Sequence, residues 1–125
     1  MANNFERQVT TLANFGVDAL LVADVETPIE VAEHKLGCVI PKGKVVTAVA
    51  LRNAKNNLVG AGAMVQVKLG DEMLGERTDI ATIKGTTVYA PVEGGHVLTA
   101  DTPIAVVVAG GTITAGDLDV IVLYF

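Results

Sequence analysis

Apolar positions in this chain recur with a period of two, and polar, glycine-bearing clusters break them every ten or so residues. The stretch from residue 40 to 69, IPKGKVVTAVALRNAKNNLVGAGAMVQVKL, shows both habits. Val45, Val46, Val49 and Leu51 form one β-rich run, launched from a Pro41-Lys42-Gly43 corner. Residues 53–57 interrupt it, and Met64, Val65, Val67 and Leu69 resume the pattern with Gln66 and Lys68 alternating between them. That alternation predicts antiparallel pairing with one wet face.

The same signals predict strands at residues 19–25, 29–36, 44–52, 63–69, 86–92, 96–99, 104–109 and 118–125. Turn chemistry separates them at 70–72, 93–95, 100–103 and 110–111. Residues 73–83 mix helix formers with threonine and predict a loop with one short strand. The last strand, LDVIVLYF, is apolar on both faces apart from Asp119, as expected of a central strand or one covered by another subunit. Short strands at this spacing imply an all-β fold, an antiparallel β-sandwich that is jelly-roll-like, over residues 17–125. Residues 1–16 precede it as an N-terminal arm or short helix. Phe5, Val9 and Leu12 lie four and three apart, which suits a helix, while the weak capping equally suits an arm that orders on a neighbour.

Composition sharpens this picture. The chain has 125 residues, enough for one domain with a real core. Half of it is apolar, mostly Val, Ala, Leu and Ile, and only 18% is charged. So thin a polar surface points to apolar area hidden against copies of itself or a larger assembly. A net charge of −5 repels nucleic acid. No run reaches the roughly 18 apolar residues of a membrane helix, and the start, MANNFERQ, lacks signal-peptide order, so a product made and used in the cytosol, away from membranes, is expected. Cys38 is the only cysteine, set in an apolar run and expected as a small buried hydrophobe.

Candidate chemistry is sparse. His34 and His96 with one cysteine offer no metal-ligand spacing, so neither metal nor cofactor is expected. Serine is absent, and Cys38 has no evident base, so the chain is not expected to be an enzyme. Asp71, Glu72, Glu76, Asp79, Asp101, Asp117 and Asp119 sit mostly beside Gly or Thr and are expected as solvated turn residues. The stretch YAPVEGGHVLTADTPIAVVVAGGTITAGD has the cadence of a biotinyl or lipoyl carrier, yet the equivalent turn, Ala109-Gly110-Gly111, has no lysine to modify.

A Pro-x-Gly-x-Val-Val strand entry at residues 41–46, a Val-x-Leu-Gly-Asp turn at 67–71, and a Thr-Ala-Gly-x-Leu-x-Val-x-Val-x-Tyr strand at 114–124 occur here in that order. In this the chain resembles the small all-β structural proteins encoded in tailed-bacteriophage head modules, over roughly residues 36–125. The resemblance implies a virion component on the capsid exterior, made in the host cytoplasm. A capsid decoration or cement protein that binds the major capsid protein, as a homotrimer, is its first implication. No family-wide functional residue comes with it. Two contact zones are expected from the residues themselves: Phe5, Val9, Leu12 and Phe15 against the shell or a neighbouring copy, and Val120 and Val122 at a cross-subunit contact. The alternatives are a carbohydrate- or peptide-binding β-sandwich module, which needs exposed aromatic platforms, and a head-fibre or tail protein.

Overall fold

The computed structural model describes the backbone of residues 7–11 and the whole of residues 16–125. Within them lie β1 (Arg7–Thr11), β2 (Gly16–Ala23), β3 (Glu33–Ile40), β4 (Val45–Arg52), β5 (Met64–Leu69) and β6 (Glu72–Asp79). A helical turn, α1 (Ile80–Ile83), precedes β7 (Thr87–Val97), β8 (Thr102–Ala109) and β9 (Gly116–Tyr124). Two sheets form, in the orders β1-β2-β9-β4-β7 and β3-β8-β5-β6, and every pairing is antiparallel.

The pairings nest. β5 pairs β6 across the Gly70-Asp71 turn, β4 pairs β7, β3 pairs β8, and β2 pairs β9. The chain is therefore one long hairpin wound over itself into a two-sheet sandwich. Its last strand is central, flanked by β2 and β4, in keeping with the apolar character of both its faces.

Alternation on these strands builds the core. Val17, Ala19 and Leu21 from β2, Val49 and Leu51 from β4, and Leu118, Val120 and Val122 from β9 point inward from one sheet. Val65, Val67 and Leu69 from β5 meet them from the other, with Ile104, Val106 and Val108 from β8. Ile80 and Ile83 of α1 are also buried in this core. The turn starts where the Asp79 carboxylate accepts a bond from the Ala81 amide at 2.9 Å, satisfying one of the donors a helix start leaves over.

Several local expectations change. The runs at 44–52 and 63–69 are both strands, but they lie in opposite sheets rather than pairing with each other. Residues 53–63 carry the chain across. Residues 73–83 hold all but the first residue of an eight-residue strand, β6, and then α1, not a loop with a short strand. The strand expected from Ile29 begins at Glu33. Ile29 is buried by an isolated bridge to Ile113, so it has strand-like burial without a strand. The expected turn at residues 93–95 is instead a wide bulge in β7, where residues 92–95 stand opposite Thr47 alone. Pro91 is tolerated because β7 pairs on one side only. Residues 7–11, expected as arm or helix, form an edge strand on β2.

Candidate functional site

β9 fixes the geometry of the outer face of the five-stranded sheet. Because Leu118, Val120 and Val122 point into the core, Asp117, Asp119, Ile121 and Leu123 point away from it. Cross-strand pairing places Ile121 beside Ala50 of β4, and Ala50 beside Tyr89 of β7. The next row holds Leu123, Ala48 and Pro91. Tyr89 is 59% exposed and Phe125 is 67% exposed.

Charge on this face is gathered into one network. The Arg52 guanidinium donates to Asp119 Oδ2 at 2.8 Å through Nε and to Asp18 Oδ2 at 3.1 Å through a terminal nitrogen. The acids are the less exposed members, with side chains 18% (Asp18) and 11% (Asp119) exposed against 41% for Arg52. Asp18 Oδ1 is buried and accepts no hydrogen bond. The three residues border a hollow of about 210 Å³ with Asp117, Lys55 and Leu20.

Burial, with the neighbouring Asp119 carboxylate second, pushes Asp18 up to about 6, and Arg52 offsets only part of this. The folded chain therefore holds this proton more tightly than an unfolded chain, where the ordinary value is 3.8. The stability Asp18 contributes is complete below that value and is lost as pH rises through about 6. Asp24 and Glu33, held low by a Thr27 backbone bond and by Lys68 respectively, act in the opposite sense. Their effect cancels when wild type is compared with Asp18→Asn. The Tm of Asp18→Asn, relative to wild type, is expected to climb between about pH 4 and pH 6.5 in melts followed by circular dichroism. A flat difference across that window would refute the assignment.

Behind this network lies a second polar knot. Asp117 is 3% exposed and Asn53 is 4% exposed. The Asp117 carboxylate accepts from the Asn56 amide at 2.6 Å and the Lys55 amide at 3.3 Å, and Asn53 Nδ2 donates to the Asn56 and Asp117 carbonyls at 2.7 Å each. Gly116, at φ +104°, lets this crossing segment approach β9, since a Cβ there would stand 2.6 Å from the Asn57 carbonyl oxygen. Asp117 and Asp119 are thus buried and bonded, not the solvated turn residues their neighbours in sequence suggest. Asp79 and Asp101 do serve turns, bonding the Ala81 and Lys42 amides.

The expected contact residues separate. Val120 and Val122 are 1% and 0% exposed within the chain's own core, because their side chains face the opposite sheet. Val9 lies in β1 opposite Ala19, while Phe5, Leu12 and Phe15 fall outside the described residues. Cys38 is only partly buried, against the core edge. His34 Nε2 lies 2.7 Å from the Glu30 carbonyl oxygen, and His96 borders a separate hollow at the β5–β6 turn. Among the described residues, no three His, Cys, Asp or Glu side chains gather closely enough to hold a metal ion. None of their helices is long and apolar enough to cross a membrane. An apolar groove of about 360 Å³ runs between β6 and β7, lined by Leu74, Val88 and Tyr89 among others. On this face Tyr89 and Phe125 stand exposed beside one charge network, while Ala48, Ala50 and Ile121 are buried.

The fold is that of an all-β, two-sheet sandwich. No family model matches the chain. No curated protein matches it either. Among solved structures, it is similar to a chain of the "Acidic stable capsid structure of Helicobacter pylori bacteriophage KHP30", with a TM-score of 0.55 and 16% sequence identity. The likeness spans 97% of this chain and 92% of that one, and at this identity it is a likeness of fold.

Proposed function

We propose that this chain is a non-enzymatic structural protein of a phage virion, which sits on the capsid exterior and stabilises the lattice as a decoration or cement protein. The observation that carries the reading is the end-to-end fold likeness to a chain of nearly equal length in a phage capsid structure. The Pro41 to Val46 and Thr114 to Tyr124 motifs point the same way from sequence. The physical logic is mass action: a protein that binds only the assembled, expanded lattice stabilises it against disassembly. Homotrimers seated where capsid subunits meet combine several weak contacts, so affinity needs no deep pocket. The major capsid protein is the partner this role requires.

The test is quantitative mass spectrometry of purified particles from the source phage. Copies near-stoichiometric with the major capsid protein are the expected result. A handful of copies would instead assign the chain to tail, portal or fibre, and its complete absence would overturn the virion reading. Analytical ultracentrifugation of the purified chain tests the trimer separately.

A further inference from the structure

Asp18, Asp119 and Arg52 lie on three adjacent strands, β2, β9 and β4, with β9 in the middle. The Arg52 guanidinium reaches across β9, and the Oδ2 atoms of both carboxylates end on that one cation. Two negative charges therefore share one positive charge where little water reaches the acids. Asp18 is the worse placed of the two, because its Oδ1 is buried and no described residue donates to it. A buried carboxylate oxygen without a donor is costly, and like charges held together make one member of the pair keep a proton. The Asp119 carboxylate lies within hydrogen-bonding reach of that proton. One proton on the pair leaves a single carboxylate against Arg52, so the cluster is neutral; without the proton it holds an uncompensated negative charge.

No other group relieves this. The remaining charged residues around the hollow are Asp117 of β9 and Lys55 of the crossing segment. The Asp117 carboxylate is already committed to the Lys55 and Asn56 amides. On β1, the positions opposite Asp18 and Leu20 are Thr10 and Gln8, neither of them charged.

What the cluster fastens follows from the topology. β1 is an edge strand that pairs only with β2, so the β1–β2 pair is held in its sheet by one ladder, that of β2 on β9. The bond from Arg52 to Asp18 straddles this ladder. β9 and β4, by contrast, are each paired on both sides. Of the four side chains that β2 buries in the core, Val17, Ala19, Leu21 and Ala23, two are alanines, which give up little apolar area on leaving it.

We propose that Asp18, Arg52 and Asp119 form a proton-operated latch on the N-terminal strands: a proton shared by the two carboxyls fastens β2 to β9, and its loss lets the β1–β2 pair lift from the sheet. Opening parts Asp18 from both Asp119 and Arg52 and gives its carboxylate to water. The proton belongs to the pair, so removing either acid alters the response.

The experiment is hydrogen exchange of the purified full chain at pH 5 and pH 7, with protection expressed relative to the intrinsic rate at each pH. At pH 7 the β2 amides are expected to be less protected than those of β5 and β8 in the opposite sheet, because they exchange through the local opening. Their protection is expected to fall about tenfold from pH 5 to pH 7, as an Asp18 held near 6 in the closed state returns to 3.8 in the open one. Asp18→Asn, which is isosteric, removes that fall while leaving both histidines in place, so it separates their titration from the latch. Asp119→Asn leaves Asp18 alone with Arg52 and moves the step to lower pH. Protection of β2 that is the same at both pH values, or a fall that survives in Asp18→Asn, would overturn the latch. Equal protection of β2, β5 and β8 at both pH values would also overturn it, since the proton would then act only on unfolding of the whole chain.

Discussion

Val122→Asp is expected to abolish cooperative folding rather than to release a subunit contact. Val122 is fully buried, paired with Val17 on one side and Val49 on the other, both of which belong to the same core. An aspartate there must either lose its charge or carry it into the space between two apolar sheets, and nothing in that layer can bond it. Whole domains are stable by only about 5–15 kcal/mol, and substitutions that bury an unpaired charge fall in the tail above about 4 kcal/mol. Val120→Asp, at 1% exposure, should behave alike. Circular dichroism melts should show a shallow transition or none, with a drop in Tm of more than about 15 °C if one survives. A melt within a few degrees of wild type would mean that the β9 register is wrong by one residue. Leu123→Asp is the matched control. It points to the opposite face, so it should leave the fold standing.

This contrast between neighbours shows what the sequence could convey. The apolar run from Leu118 to Phe125 announces a central strand, and it occupies the centre of its sheet. The alternation alone does not say which of Val120 and Ile121 faces the partner sheet, since both faces of this strand are apolar. Register comes from pairing with β2 and β4, whose residues lie far away in the chain.

Long-range pairing also explains the charge network. Arg52 is 34 residues from Asp18 and 67 from Asp119, so no local motif could join them. One signal was available: Asp117 and Asp119 stand two apart in an otherwise apolar strand, hence on one face, and buried acids require a partner. Turn residues such as Gly116 beside them argued for solvent and hid it. The same limit misplaced β4 and β5. Both runs carry the alternation of a paired strand, but alternation does not name the partner, and in a wound hairpin successive runs go to opposite sheets. Residues 73–83 were ambiguous because β6 is an edge strand with weak burial on either face, so no apolar period marks it. At the N-terminus, a spacing of four and three between Phe5, Val9 and Leu12 suited a helix, whereas residues 7–11 add a strand to β2.

The other large effect belongs to Asp117. Its carboxylate is the acceptor for two backbone amides of the crossing segment, those of Lys55 and Asn56, and for the Asn53 side chain at 3.3 Å. Asn53 in turn accepts from the Gly85 amide at 3.0 Å, so the knot ties the β4–β5 crossing to β9 and to the turn after α1. Asp117→Ala removes the acceptor and leaves those partly buried donors without it. The penalty for a buried unsatisfied donor is about 1–3 kcal/mol each, which sets the expected loss near 3 kcal/mol and the fall in Tm near 10 °C. Asp117→Asn keeps one carboxamide oxygen for the amides and should cost about 1 kcal/mol. Asn53→Ala breaks the same knot from the other side. Combining it with Asp117→Ala should therefore cost less than the two single losses added together, and the coupling is measured by a double-mutant cycle in urea. Strict additivity would show that the two residues act independently. Arg52 immediately precedes Asn53, so a loosened knot also frees the guanidinium that bridges Asp18 and Asp119.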